Sequence, residues 1–145
     1  MHPVLLDSSI YIAALRGGDE AVLALRRSAA EAPLWLSAVV LEELYAGVRP
    51  RDRKVIERLE RDFDRARRIL VPTLGDWVQA GKVLALLAAD YGYEQIGRGR
   101  LTNDTLIAIS AGRFGITVIT ANERDFARLQ KFAPFLYEVK SGLPS

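Results

Sequence analysis

Four short apolar runs, separated by longer stretches with helical periodicity, constrain the fold of this chain most strongly. The runs are PVLLD, LWLS, ILVP and ITVI (followed by Thr120), at residues 3–7, 34–37, 69–72 and 116–119. Each run is too short for a helix and rich in branched or aromatic residues, which is typical of a buried strand. Strands that alternate with helices predict an α/β fold with a mostly parallel sheet flanked by helices.

The segments between the runs favour helices. Apolar residues recur at helical spacing at Ile56, Leu59 and Phe63, for example. Helices are predicted at residues 19–31, 38–48, 51–68, 76–91, 103–114 and 123–131. The glycine- and arginine-containing residues 92–101 are expected to form a mobile loop, and residues 141–145 a loose tail. With 145 residues in all, we expect one domain over residues 1–140.

The composition excludes several kinds of catalytic site. The chain has no cysteine, and its single histidine, His2, lies near the end of the chain, so thiol, thiolate-zinc and histidine-based mechanisms are disfavoured. Neither a Walker phosphate loop nor a GxGxxG nucleotide loop is present. Carboxylates remain, and these bind hard cations such as Mg²⁺ and Mn²⁺. No signal peptide or membrane segment is recognisable, so we expect a soluble, cytoplasmic protein.

Four acids are candidates, namely Asp7, Glu43, Asp104 and Asp125. All except Glu43 lie just past a predicted strand or in the first turn of a predicted helix. Each also has an ordinary structural explanation: a helix cap for Asp7, a helix-dipole contact for Asp104, a capping box for Asp125, and solvation together with Glu42 for Glu43. Because the carboxyl ends of parallel strands share one edge of the sheet, these acids are expected to crowd there. Crowded carboxylates repel each other unless cations fill the site, and a filled site suits phosphodiester hydrolysis.

Four short stretches carry a family resemblance. They are VLLDSS with Asp7 and Ser9, ELYAG with Glu43, DTLIA with Asp104, and TANERDF with Thr120, Asn122 and Asp125. In these motifs the chain resembles the PIN-domain family, and within it the VapC-type toxins of toxin–antitoxin pairs. The motifs follow the family's order at about its spacing, so the resemblance spans nearly the whole chain.

The resemblance implies a single PIN-like domain with a sheet of four or five parallel strands and helices on both faces. It implies endonucleolytic cleavage of RNA, dependent on Mg²⁺ or Mn²⁺, and it implies a homodimer inhibited by a small antitoxin whose tail enters the acidic site. The implied metal ligands are Asp7, Glu43, Asp104 and Asp125, supported by Ser9, Thr120 and Asn122. Glu123 is a candidate to replace or join Asp125.

Two groups of basic residues are candidate RNA contacts. One is a stripe at helical spacing, Lys54, Arg58, Arg61, Arg65 and Arg68; the other is Arg98 and Arg100. The stripe is either a solvated face with pairs such as Glu57–Arg61 and Asp64–Arg68, or a rail for phosphates. The net charge of +2 permits a nucleic-acid partner without requiring one. Both tryptophans, Trp35 and Trp77, are predicted to pack in the core.

Two other function classes stay open at the level of sequence. The first is a non-catalytic module of the same fold that binds RNA or a partner peptide, which a lack of Mn²⁺ binding would favour. The second is a phosphate-transfer domain of the response-receiver kind. Such a domain has paired acids after the first strand and a lysine after a late strand, where this chain has Asp7-Ser8-Ser9 and Thr120-Ala121-Asn122.

Overall fold

The computed structural model describes residues 2–18, 33–92 and 100–140. Within them, five strands form one sheet in the order β3-β2-β1-β4-β5. The strands are β1 (Val4–Leu6), β2 (Leu34–Ser37), β3 (Ile69–Leu70), β4 (Thr117–Thr120) and β5 (Tyr137–Val139). Every neighbouring pair is parallel, with Leu5 opposite Trp35 on one side and Leu6 opposite Ile119 on the other. The predicted α/β class and the four predicted strands are confirmed.

The described residues contain six α-helices and one 3₁₀ turn, Pro50–Asp52. The helices are α1 (Ser8–Arg16), α2 (Ala38–Gly47), α3 (Arg53–Arg65), α4 (Leu74–Tyr91), α5 (Arg100–Arg113) and α6 (Glu123–Gln130). The predicted helix at 19–31, the tail at 141–145, Arg98 and the side chain of Arg100 lie outside the described residues. In the described segments, no helix is both long and apolar enough to cross a membrane.

Helix α5 begins earlier than its sequence pattern predicted. Arg100 and Leu101 are already helical, so the predicted loop at 92–101 is wrong for its last two residues. Leu101 packs against the hydrophobic core, and its carbonyl accepts a hydrogen bond from the Thr105 hydroxyl at 2.6 Å, which stabilises this turn. Asp104 therefore lies beyond the first turn of α5, and a contact with the helix dipole no longer explains it.

Strand β5 has no counterpart among the predicted runs. It is short, and Glu138 and Val139 are exposed, as is common at the edge of a sheet. The Tyr137 ring lies 6.3 Å from the Phe126 ring and 5.9 Å from the Phe135 ring, centroid to centroid. These aromatic contacts fix the strand beside β4, and the sequence pattern alone does not reveal them.

The two tryptophans differ in environment. Trp35 packs against the core as predicted, but the prediction for Trp77 is wrong, because this side chain is 56% exposed. Trp77 lies on α4 beside Leu74 and Val78, which are 80% and 51% exposed. Since α4 buries Ala80, Val83 and Leu87 on its opposite side, its apolar residues occupy two faces. We call Leu74, Trp77 and Val78 the α4 patch.

Candidate active site

Asp7 lies at the carboxyl end of the central strand β1 and is almost fully buried, at 3% exposure. Its backbone N–H donates to the Ile119 carbonyl at 3.0 Å, which extends the pairing with β4. Its Oδ1 accepts hydrogen bonds from the Ser9 N–H at 2.9 Å and from the Ser9 hydroxyl, so Asp7 caps α1. Its Oδ2 accepts from the Thr120 hydroxyl at 2.6 Å. These donors are all uncharged, so they orient the carboxylate without neutralising it.

Thr120 and Asn122 connect Asp7 to Asp125. The Thr120 Oγ1 accepts a hydrogen bond from the Asn122 N–H at 2.9 Å. The Asn122 side chain donates to the Asp125 carboxylate at 2.8 Å and accepts from the Asp125 N–H at 3.4 Å, capping α6 as predicted. Glu123 is exposed, whereas Asp125 is half-buried. The structure therefore includes Asp125, and not Glu123, in the network that reaches Asp7.

Glu43 faces the same edge of the sheet. It is half-buried on α2, while its neighbour Glu42 is exposed, so the two glutamates point in different directions. Burial, and then the negative charge of Asp7, raise the pKa of the Glu43 carboxyl, while hydrogen bonds with Ser8 and Asn103 act in the opposite direction. Its Oε1 atom is buried without a hydrogen-bond partner. Asp7 and Glu43 are thus two acids close enough to repel each other.

Asp104 is 5% exposed and lies on α5 directly after Asn103. Asn103 reaches the Glu43 carboxylate, so this part of α5 borders the same edge of the sheet. Asn103 and Ser8 were not among the predicted site residues. The only sequence signal for them is their position beside Asp104 and Asp7, and this adjacency does not specify the direction of a side chain.

The predicted four-acid cluster is only partly assembled in the described residues. Among residues 2–18, 33–92 and 100–140, no three His, Cys, Asp or Glu side chains are grouped closely enough to hold a metal ion. The carboxylates of Asp7 and Glu43 interact directly, while Asp125 is joined through hydrogen bonds. The unpartnered Glu43 Oε1 and the uncompensated Asp7 suit a hard, doubly charged cation, which prefers carboxylate oxygens.

The basic stripe on α3 is exposed at its first four positions, Lys54, Arg58, Arg61 and Arg65. Neither Glu57–Arg61 nor Asp64–Arg68 forms an ion pair, although all four residues are described. Glu57 instead pairs with Arg53, with 3.1 Å between Nε and Oε1. The predicted pairing is therefore wrong in register, and contact between the stripe and RNA stays a prediction.

The comparison with known protein families decides the identity of the fold. A sequence model of the PIN domain matches residues 4–132. The chain belongs to the PIN-domain family. The match includes all four of the acids discussed here. Strand order, parallel pairing and the position of Asp7 at the end of the central strand now describe a PIN domain.

Several solved structures are similar to this PIN domain. DNA-bound VapBC from Salmonella typhimurium aligns with a TM-score of 0.67 at 22% identity, covering 96% of this chain and 98% of that chain. VapBC2 from Rickettsia felis, bound to a promoter DNA fragment, aligns with a TM-score of 0.62 at 23% identity over 96% and 99%. FitAB bound to the IR36 DNA fragment aligns with a TM-score of 0.63 at 18% identity, covering 94% of each chain. At these identities the likeness is one of fold. Among curated proteins, no relative with significant sequence similarity was found.

Proposed function

We propose that this PIN-domain protein is an endoribonuclease that requires Mg²⁺ or Mn²⁺. The observation that carries the proposal is the pair of Asp7 and Glu43 at the carboxyl edge of the sheet. Asp7 is buried among uncharged donors, and Glu43 has a raised pKa and an oxygen without a partner. A raised pKa caused by burial and a like charge, in a cleft, is a recognised mark of a functional carboxylate.

The proposed metal ligands are Asp7, Glu43, Asp104 and Asp125. When bound, a divalent cation supplies a water of lowered pKa and stabilises charge on the phosphate oxygens. The remaining residues of the site act on the ligands themselves. Ser9 and Thr120 fix the Asp7 carboxylate, Asn122 fixes Asp125, and Ser8 and Asn103 contact Glu43. Such outer contacts hold carboxylates in the orientation that a metal ion requires.

Substitution of the acids tests this proposal. Asp7→Asn or Asp104→Asn should preserve the fold and reduce Mg²⁺-dependent RNA cleavage by more than about 100-fold, since changing only the outer contacts of a metal site already costs about 10–100-fold. Cleavage of a labelled RNA, with circular dichroism to check folding, measures both effects. Retained activity in both variants, with contaminating nucleases excluded, would refute the proposal.

Exposed neighbours provide matched controls for two of the acids. Glu43→Gln and Asp125→Asn should reduce cleavage strongly, whereas Glu42→Gln and Glu123→Gln should leave it unchanged, because Glu42 and Glu123 face solvent. Each control removes a carboxylate charge that lies one or two positions from the proposed ligand in the sequence. If the Glu123 variant loses activity and the Asp125 variant keeps it, the fourth ligand is misassigned.

We further propose that the protein acts as the toxin of a VapBC-type pair, with a small antitoxin as its partner. Its similarity in fold to VapBC structures supports this proposal. The expected result is growth arrest when the chain is expressed alone in bacteria, relieved by co-expression of a short upstream gene. Growth arrest should require Asp7. If the upstream gene product neither binds the protein nor relieves the arrest, the toxin–antitoxin proposal is wrong, whether or not the protein cleaves RNA.

A homodimer is the expected assembly, and the α4 patch supports it. Contiguous apolar side chains exposed on a helix commonly mark a protein–protein contact. Trp77→Arg should convert the dimer into a monomer in light scattering coupled to size-exclusion chromatography. Leu86→Arg, which changes another exposed apolar residue of α4 (52% exposed), is the control for a general effect of added charge. A wild-type protein that is monomeric at all concentrations would contradict the homodimer.

One observation favours a second candidate function, that of a non-catalytic binding module. The described residues contain no group of three acidic or histidine side chains arranged to hold a metal, as would be expected of a PIN fold that only binds RNA or a peptide. Isothermal titration with Mn²⁺ separates the two candidates. Saturable binding that Asp7→Asn abolishes favours the nuclease, and a lack of binding favours the non-catalytic module.

A further inference from the structure

A cavity of about 290 Å³ lies between the C-terminal ends of α1 and α2. Glu43 is one of its lining residues, so the cavity borders the proposed active site. Its other walls include the apolar side chains of Leu15 and Val48, with Arg16 and Arg49 beside them. A neighbouring cavity of about 360 Å³ shares Arg16 and Arg49 and adds Arg51. An apolar surface, three arginines and the proposed metal ligand Glu43 thus lie side by side.

Gly47, the last residue of α2, also lines the first cavity. A Cβ atom added at this position would meet no atom within 4 Å, and the backbone of Gly47 is not in the left-handed region. Neither packing nor turn geometry therefore requires glycine here. A larger side chain at position 47 would therefore extend into the cavity without displacing neighbouring atoms, so this position is suited to testing what the cavity binds.

The charged residues around this space suit an anion. Arg16, Arg49 and Arg51 are exposed, and Asp52 is the acid that lines both cavities with them. The Arg49 Nε donates to the Asp52 carboxylate at 2.8 Å, and its Nη2 donates to the Leu15 carbonyl at 3.4 Å. Since a guanidinium carries five N–H donors, three remain for a ligand. Arg49 is thus held in position while some of its N–H groups stay available to bind phosphate oxygens.

We propose that this Gly47 cavity binds one nucleotide of the RNA next to the cleaved bond. The base lies against Leu15 and Val48, and the flanking phosphates contact Arg49 and Arg16. Glycine at position 47 leaves room for the base. The proposal rests on the proposed ribonuclease function and extends it, because a base-sized site beside Glu43 gives the enzyme a preference for sequence at that position.

Filling the cavity tests this proposal. Gly47→Leu places a side chain in the open space, Gly47→Ala fills it partly, and Lys82→Ala, on α4, is a control that does not line either cavity. Binding is measured by fluorescence anisotropy of a short labelled single-stranded RNA of random sequence in EDTA, where no metal-dependent cleavage occurs. We expect Gly47→Leu to raise Kd at least about tenfold, Gly47→Ala to raise it less, and Lys82→Ala to leave it near the wild-type value.

Removal of the cation provides a second, independent measurement. Arg49→Ala should weaken RNA binding and reduce the slope of log Kd against log salt by about one phosphate contact, roughly 0.7 for a single strand. Arg49→Lys should restore the slope and only part of the affinity, because an ammonium lacks the planar fork of a guanidinium. If circular dichroism shows that Gly47→Leu does not fold, the two Arg49 variants still test whether the cavity binds RNA.

The possible outcomes separate this inference from the ribonuclease proposal. Unchanged affinity and unchanged cleavage preference in Gly47→Leu overturn the inference and leave the nuclease intact. Unchanged RNA binding with lost inhibition by the antitoxin shows that the cavity is a peptide site, which also overturns it. If the wild type binds RNA but does not cleave it, the anisotropy series still decides whether the cavity holds a nucleotide.

Discussion

Asp7 and Asp76 are equally buried, each at 3% exposure, yet their surroundings are opposite. The two oxygens of Asp76 accept hydrogen bonds from the Arg113 guanidinium at 2.9 and 2.8 Å, and Asp76 forms a capping box with Thr73 at the start of α4. Within the described residues, the hydrogen-bond donors to Asp7 are uncharged, and Glu43 is an acid whose charge interacts with it. The negative charge of Asp76 is balanced by Arg113, whereas the charge of Asp7 lies near a second acid.

This difference separates Asp76, which the protein itself neutralises, from Asp7, the proposed metal ligand, although the two are equally buried. Burial acts to raise the pKa of Asp76, but hydrogen bonds from Arg113 and Thr73 outweigh it and hold the pKa below its usual value. For Glu43 the balance is reversed, and burial together with Asp7 raises its pKa. A buried acid that the protein itself does not neutralise either keeps a proton, as a raised pKa favours, or binds a cation from outside the chain.

The largest expected effect on stability comes from breaking the compensated site. Asp76→Asn removes one charge of a bidentate ion pair and should lower the free energy of unfolding by about 2–3 kcal/mol, because a charged hydrogen bond is worth about 1.5–3 kcal/mol and Arg113 can still turn to solvent. Asp7→Asn should change it by less than about 1 kcal/mol, because it also relieves repulsion from Glu43. Urea unfolding measures both.

Asp90→Asn is the control for this comparison, since Asp90 is an exposed acid on the same helix as Asp76. Surface substitutions of this kind usually change stability by no more than about 0.5 kcal/mol. A loss of stability in Asp7→Asn as large as that in Asp76→Asn would mean that Asp7 is a structural residue, and the contrast between the two sites would disappear.

An intermediate effect is expected from adding a cation. Mn²⁺ at about ten times its Kd should stabilise the wild type by about 1.4 kcal/mol, since a ligand that binds only the folded state stabilises it by RT ln(1 + [L]/Kd). The Asp76→Asn variant should show the same increase from its lower starting point, and Asp7→Asn should show none. Thermal unfolding with and without EDTA measures the increase. An equal increase in Asp7→Asn would place the cation elsewhere.

The last expected effect is a dependence of stability on pH. The folded-state pKa of Asp76 lies below its unfolded value, so the ionised form stabilises the folded protein above the unfolded pKa of about 3.9, and this contribution is lost as the pH falls through the folded pKa. The stability advantage of the wild type over Asp76→Asn should therefore be complete near neutral pH and shrink below about pH 4. An advantage that stays constant down to pH 2 would show that packing, and not charge, accounts for it.

The sequence predicted the framework of the site because that framework depends on local patterns. Asp7 follows an apolar run, and Asn122 precedes Asp125 at cap spacing, so strand ends and caps placed both residues correctly. The contacts of Glu43 with Ser8 and Asn103 depend on how α1, α2 and α5 pack against one another, which no local pattern specifies. Hydrophobicity alone also failed for Trp77, because α4 is apolar on more than one face.

The hydrogen bond between Thr120 and Asp7 joins residues that are 113 positions apart in the chain. Contacts between such distant residues form late, because the chain between them must first be brought into order. During synthesis, Thr120 is added 113 residues after Asp7, so their hydrogen bond cannot form before β4 has been translated. We therefore expect a nascent chain that stops before β4 to lack the proposed activity, because the contact that orients the Asp7 carboxylate has not yet formed.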